Sequence, residues 1–233
     1  MRWSPLPCRK EYNITCVKQF KESTVVENKK ELTIYKVGQV FFRWRGRSPL
    51  ILVLLMIYFG QPDVRSLVIG ALLAIGGEVI RYWGMRHIGG AARTRNPERV
   101  DDFIVSGPYR YVRNPLYVGN FFTGLGVAVM CARWELIAVY VVMFFVQYIP
   151  IVRMEEINIE LKFKEVFVKY MEQVPPWFPR VPSVLPPVDR EQVPHLMVLK
   201  NERSTLLGIA AMILCFGLLY KYQFNLLLKD LLR

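Results

Sequence analysis

The sequence predicts an all-α protein: a polytopic transmembrane helical bundle of about five spans, with an amphipathic helix lying at the membrane interface. Three observations carry this. Hydrophobic residues make up 53% of the 233, on the apolar side of ordinary soluble usage, at a mean hydropathy of +0.23. They are bunched into runs at 49–60, 67–85, 116–131, 136–152 and 206–220. Lys and Arg, by contrast, gather in alternate connections between the runs.

The runs meet the demands of lipid unequally. A spanning helix wants about 20 apolar residues, so 49–60 is the weakest candidate and reads equally well as a buried or re-entrant helix. Tyr82, Trp83, Trp134 and Tyr220 stand at run ends, where amphipathic rings lengthen a span by sitting at headgroup level. A large soluble helical bundle is the competing reading. Residues 1–40 form a polar N-terminal extension without the apolar core of a signal peptide. Residues 41–233 then form one membrane domain.

A net charge of +12 invites a nucleic-acid partner, but its placement argues against one. Residues 1–48 hold eleven Lys/Arg against four acids, whereas the connections 61–65 and 132–135 hold one Arg each. The positive-inside bias therefore puts the N-terminal segment, 86–114 and 153–203 on the cytoplasmic side. An odd number of spans leaves the C-terminus opposite, against the mild pull of Lys221, Lys229 and Arg233. The four cysteines show no paired spacing for zinc or a redox centre, so no metal is implied.

Chemistry is expected where polar residues meet the membrane, because ionisable groups there are costly. Glu78 and Arg81, three apart, share a helix face and either neutralise each other or contact a ligand. The stretch SGPYRYVRNPLYVGN, 106–120, combines two Arg, three Tyr, two Pro and two Gly. Gly107-Pro108 signals a turn, and Asn114-Pro115 predicts a helix starting at Pro115 with Asn114 as its cap. That helix start suits an anion, Arg110 and Arg113 suit phosphate or carboxylate, and Tyr109, Tyr111 and Tyr117 suit a flat ring or lipid. An aromatic and basic belt at the interface accounts for the same residues. Third, Glu155-Glu156 follows Arg153, and a helix is predicted from Glu155 to about Glu172. Ile159, Phe163, Phe167 and Tyr170 share one face of it. Acids in a first helical turn also serve the helix dipole alone.

The ordered set Arg113-Asn-Pro-Leu-Tyr-Val-Gly119, Gly124-Leu-Gly126, Glu155-Glu156, Leu161, Phe163, Phe167, Tyr170 and a Pro-rich exit resembles the isoprenylcysteine carboxyl methyltransferase and phospholipid methyltransferase superfamily, in its bacterial membrane form. The resemblance covers about residues 65–180. It implies an integral membrane enzyme using S-adenosylmethionine at the cytoplasmic face, with a cofactor core at about 81–180. Carried over by position, the cofactor site comprises Asp102, Phe103, Ile104, Tyr109, Asn114, Pro115, Leu116, Tyr117 and Glu155. Arg153 and Glu156 are then the catalytic candidates, with Glu78 as a second possible base for an amine acceptor. The expected partners are membrane lipids and a lipophilic or lipidated substrate.

The chain departs from the resemblance at two places. Asn114 stands where the signature usually has His, and Asn carries no proton near neutral pH. The prenylcysteine enzymes also place arginines just before the acidic pair to meet the substrate carboxylate, whereas this chain reads Gln147-Tyr-Ile-Pro-Ile-Val152 there. Only Arg153 remains. Two other classes compete: a sterol-type membrane reductase using a nicotinamide cofactor, and a membrane scaffold without catalysis.

Overall fold

The computed structural model describes residues 32–88, 104–180 and 192–231, with the backbone alone for 224–231. All regular structure among them is helical: α1 (32–44), α2 (Pro49–Phe59), α3 (Val64–Ile88), a 3-10 turn (Gly107–Arg110), α4 (Pro115–Met130), α5 (Trp134–Phe163), α6 (Glu165–Gln173) and α7 (His195–Leu231). Each expected apolar run falls inside one helix. Of these, Trp134–Phe163 and His195–Gln223 are long and apolar enough to cross a membrane, while α2 and α4 are shorter apolar helices.

The helices run up and down. Gln61 N–H donates to the Cys131 carbonyl at 2.9 Å, and Gln223 Nε2 donates to the Gly60 carbonyl at 3.0 Å. The short α2–α3 and α4–α5 turns and the later part of α7 therefore share one end of the bundle. The longer polar segments, 104–114, 164–180 and 192–194, belong to the other. Between the ends, Leu52 and Met56 of α2, Ala74 of α3, Ala128 and Met130 of α4, and Ile209 and Phe216 of α7 form a buried cluster. Much of the outer surface is apolar, with Ile51, Leu54, Leu72, Ile75, Val142, Val146, Leu207 and Leu214 all exposed. Contiguous apolar exposure of this kind suits lipid rather than water.

The tightest contact is between α3 and α4. Gly70, Ala74 and Gly77 on one helix meet Gly119, Thr123 and Gly126 on the other, so that a Cβ added at Gly126 would strike the Gly70 carbonyl and the Ala74 backbone. Small residues let the two backbones approach in a way that apolar bulk alone does not, which is how helices associate in lipid.

Two sequence expectations are corrected here. The acidic pair does not open a helix: α5 continues through Pro150, which does not end it, and through Glu155 and Glu156 to Phe163. The break falls at Lys164, with φ +46°, and α6 starts after it. A non-glycine residue there costs about 1–3 kcal/mol. A first-turn dipole role for the pair is therefore excluded. Second, residues 32–40, assigned to the polar extension, are helical and pack on α5: Gly38 lies against the Pro150 carbonyl and Met154.

Gly126→Val is expected to lower the melting midpoint in detergent by roughly 5 °C, since overpacking costs about 1–3 kcal/mol. Gly76→Ala, where nothing lies within 4 Å, is expected to hold or raise it. Thermal unfolding followed by size-exclusion chromatography reads both.

Candidate functional site

The stretch 106–120 is shaped by one backbone requirement. Gly107 takes φ +56°, and a side chain there would run into the His87 ring, which itself bonds Ser106 Oγ at 3.0 Å. The turn that follows buries Pro108 and Tyr109. Tyr170 O–H donates to the Tyr109 carbonyl at 2.6 Å. The Tyr109 hydroxyl is buried and has no hydrogen-bond partner among the described residues. Burial pushes the hydroxyls of Tyr109 and Tyr170 well above the ordinary tyrosine value, so both stay protonated donors.

Helix α4 starts at Pro115 as expected, but not with the expected cap. The Asn114 carbonyl accepts Tyr117 N–H and Val118 N–H, each at 3.1 Å, while its side chain makes no cap bond and turns toward the Pro176 carbonyl at 3.4 Å. The Pro-rich exit competes for it and wins. One turn on, Tyr117 O–H donates to Glu155 Oε1 at 2.7 Å, and its ring lies 5.1 Å from that of Tyr148. This bond joins the opening stretch to the acidic pair.

Adjacent residues on a helix point about 100° apart, so Glu155 and Glu156 face different partners. Glu156 Oε1 accepts Arg113 Nε–H at 2.8 Å, with both side chains nearly buried. Arg113 Nη1 also donates to the Met171 and Val174 carbonyls at 3.1 and 2.8 Å, and its backbone N–H donates to Pro175 at 2.9 Å. Arg113 thus closes the C-terminal end of α6 and ties it to α5. It is engaged inside the protein rather than offered to phosphate. Arg153 lies on the same side, 4.0 Å from Glu156 Oε2.

A second polar centre lies deeper. Arg81 donates to Glu78 Oε2 at 3.2 Å, to Glu202 Oε2 at 2.6 Å and to Asn120 Oδ1. Tyr140 O–H donates to the Asn120 carbonyl at 3.4 Å, and its ring packs through Phe144 on Tyr148, the ring beside Tyr117, so this centre connects to that site. Sequence reading found the Glu78–Arg81 pair and missed Glu202, more than a hundred residues away. It also passed over Asn120 and Tyr148 as site residues.

The structure therefore brings Tyr117 and Glu155 together, with buried Tyr109, Ile104 and Pro115 nearby in the chain and Leu116 packed on Gly84. Asp102 and Phe103 lie outside the described residues. A groove of about 650 Å³ lies at the bend between α5 and α6. It is lined by Ile157, Glu160, Leu161, Lys164 and Glu165 among others, and by none of the residues assigned to the site.

Fold and site thus define a helical, membrane-type protein with a buried polar centre joining α3, α4, α5 and α7. The phospholipid methyltransferase family matches residues 65–165, a segment that contains the Tyr117–Glu155 and Arg113–Glu156 pairs, and so supports that broad superfamily. The nickel-cobalt-cadmium resistance protein NccN of Alcaligenes xylosoxydans xylosoxydans is 29% identical over 156 residues, covering 64% of this chain and 67% of that protein. The cobalt-zinc-cadmium resistance protein CzcN of Cupriavidus metallidurans CH34 is 31% identical over 141 residues, covering 60% of this chain and 55% of that protein. The match thus spans little more than half the length of CzcN. No solved structure matches the chain.

Arg113→Ala strands a buried carboxylate and is expected to cost about 3–5 kcal/mol of stability. The double variant Arg113→Met with Glu156→Met is expected to recover most of that loss. Thermal melts of the two variants in one detergent check it.

Proposed function

We propose that the chain is an integral membrane methyltransferase of the bacterial type, which uses S-adenosylmethionine to methylate a lipophilic acceptor at the interface. The observation that carries this is the Tyr117–Glu155 hydrogen bond, with the partnerless Tyr109 hydroxyl within electrostatic reach of Glu155. The family match over 65–165 supports it. S-adenosylmethionine, when bound, supplies a methyl group already activated on a sulfonium.

The chain's own groups fit that cofactor. Glu155 offers a carboxylate to an ammonium, and Tyr117 holds that carboxylate in place. The first turn of α4 presents its positive end to a carboxylate, and Tyr109 supplies a buried donor that otherwise lacks an acceptor. Ile104 and Leu116 add apolar wall. Asp102, Phe103, Asn114 and Pro115 complete the proposed cofactor set by position. Glu156, bonded to Arg113, acts by positioning Glu155 on its helix, and Arg153 stands on the acceptor side. Alignment of two bound partners in a site that excludes water is the main help these residues give.

The same reading makes all five apolar helices spans, with the polar end and its site on the cytoplasmic side. The grouping of short turns at one end and basic connections at the other supports it. In α3, the charges of Glu78 and Arg81 meet each other and Glu202, which lowers the cost of placing them in lipid. The names of the two relatives describe a resistance and not a reaction, and alteration of a membrane lipid is compatible with them.

The test is titration of the protein in detergent with S-adenosylhomocysteine and, separately, with NADPH. Wild type is expected to bind S-adenosylhomocysteine, and Glu155→Gln and Tyr117→Phe to weaken it by about tenfold or more, since each removes a buried polar contact. Binding of NADPH instead, or of neither compound, overturns the proposal.

A further inference from the structure

The stretch 147–152 of α5 carries no arginine of its own, yet the fold brings one to that place. Helix α1 runs antiparallel along α5. Gly38 rests on Pro150 and Met154; Phe42 is buried with Ile151 and Met154, beside Tyr117 and Tyr148; Ser48 Oγ–H donates to Gln147 Oε1 at 2.6 Å. Arg45, between Phe42 and Ser48, is thereby carried to the stretch of α5 that lacks an arginine.

Its bonding distinguishes it from the other two arginines of the region. Arg81 and Arg113 spend their donors on carboxylates, an amide and main-chain carbonyls. Arg45 lies flat over the Phe42 ring, 3.4 Å from its centre, and makes one long bond of 3.5 Å to the Phe42 carbonyl. Among the described residues it forms no ion pair. Its charge nevertheless reaches the Tyr117 and Tyr148 hydroxyls and the Glu155 carboxyl. An arginine placed only to neutralise Glu155 would stand within ion-pair distance of it, and Arg45 does not. Beside it, Gln147 Nε2 is buried without a partner. A cation stacked on Phe42, whose cluster includes Tyr117 and Tyr148, and an amide donor on the Ser48-bonded Gln147 are thus both short of an acceptor where the 42–48 segment crosses α5.

We infer that Arg45 and Gln147 hold the anionic group of the lipophilic acceptor, a carboxylate or a phosphate, next to the Tyr117–Glu155 pair. This rests on the methyltransferase reading above. The arrangement separates two opposite recognition tasks: Glu155 serves the cationic ligand and Arg45 the anionic one. The planar guanidinium stacked on Phe42 is held ready for two parallel bonds to oxygen. Arg45 lies outside the segment 65–165 that the family match covers, so specificity is contributed here by an element added to the shared core.

The experiment compares charged and neutral forms of the same lipid, using the full chain in nanodiscs of phosphatidylcholine. One arm measures binding of labelled oleate against methyl oleate, and the other dioleoyl phosphatidic acid against dioleoylglycerol. Wild type is expected to prefer one acid over its neutral counterpart by about tenfold, as a charge-assisted bond provides, and the arm that responds names the source. Arg45→Ala and Gln147→Ala are expected to reduce the preference to about threefold or less, and Arg45→Lys to keep part of it. No preference in wild type, or a preference untouched by Arg45→Ala, overturns the inference. S-adenosylhomocysteine affinity is measured on the same samples. If it falls in Arg45→Ala as much as the acid preference does, Arg45 serves the cofactor and the inference fails. If wild type binds no S-adenosylhomocysteine yet keeps the acid preference, the methyltransferase reading fails and the anion site stands.

Discussion

The bundle is organised around Arg81, because a guanidinium inside apolar helices must have its charge and its donors met by protein. Three helices meet it. Glu78 comes from its own helix, Asn120 from α4 and Glu202 from α7. The close approach of α3 and α4 is what makes the Asn120 contact reachable: Gly119 leaves room for the Arg81 side chain, whose Cγ a Cβ at that position would strike. The stripe of small residues and the buried charge are therefore one device. Without the glycines the arginine loses a partner, and without the arginine α7 loses its polar hold on the core.

From this centre a path of contacts leads outward to the bundle's polar end. Tyr140 O–H donates to the Asn120 carbonyl, the rings of Tyr140, Phe144, Tyr148 and Tyr117 pack in succession, and Tyr117 holds Glu155. Each contact fixes the next side chain in one orientation, which is the condition for a precise binding site. Arg113 does the same for the far wall. By bonding Glu156 and the α6 carbonyls together, it sets where α5 and the Pro-rich exit stand relative to the 3-10 turn. The Tyr109 hydroxyl is left as a buried donor with no acceptor among the described residues.

The helices were legible in the sequence because lipid-facing runs and N-cap signals are local features. Each apolar run gave a helix, and Pro115 began one where expected. The ion pair of Glu78 and Arg81, three residues apart, was legible for the same reason. What was not legible is long-range. Nothing local links Arg81 to Glu202, or Arg113 to the carbonyls of Met171 and Val174. The division of labour between Glu155 and Glu156 was hidden as well, since it follows from their facing different neighbours on an uninterrupted α5. The end of α5 was misjudged because Arg153-Met-Glu155-Glu156 looks like a helix start, whereas the chain reverses at Lys164 in a backbone conformation that favours glycine.

Helix α1 shows what packing adds to a local reading. Its residues 32–40, with Thr33, Lys36 and Gln39, looked like part of a polar extension. Packing reveals a different logic: Gly38 and Phe42 supply the close contact, and that contact delivers Arg45 to a place on α5 where the local sequence offers only Gln147. None of the bonds of the Tyr117–Glu155 and Arg113–Glu156 pairs passes through Arg45, which acts on the first pair through its charge alone. On the proposed reading, the group that meets a cationic ligand and the group that meets an anionic one thus come from separate parts of the fold.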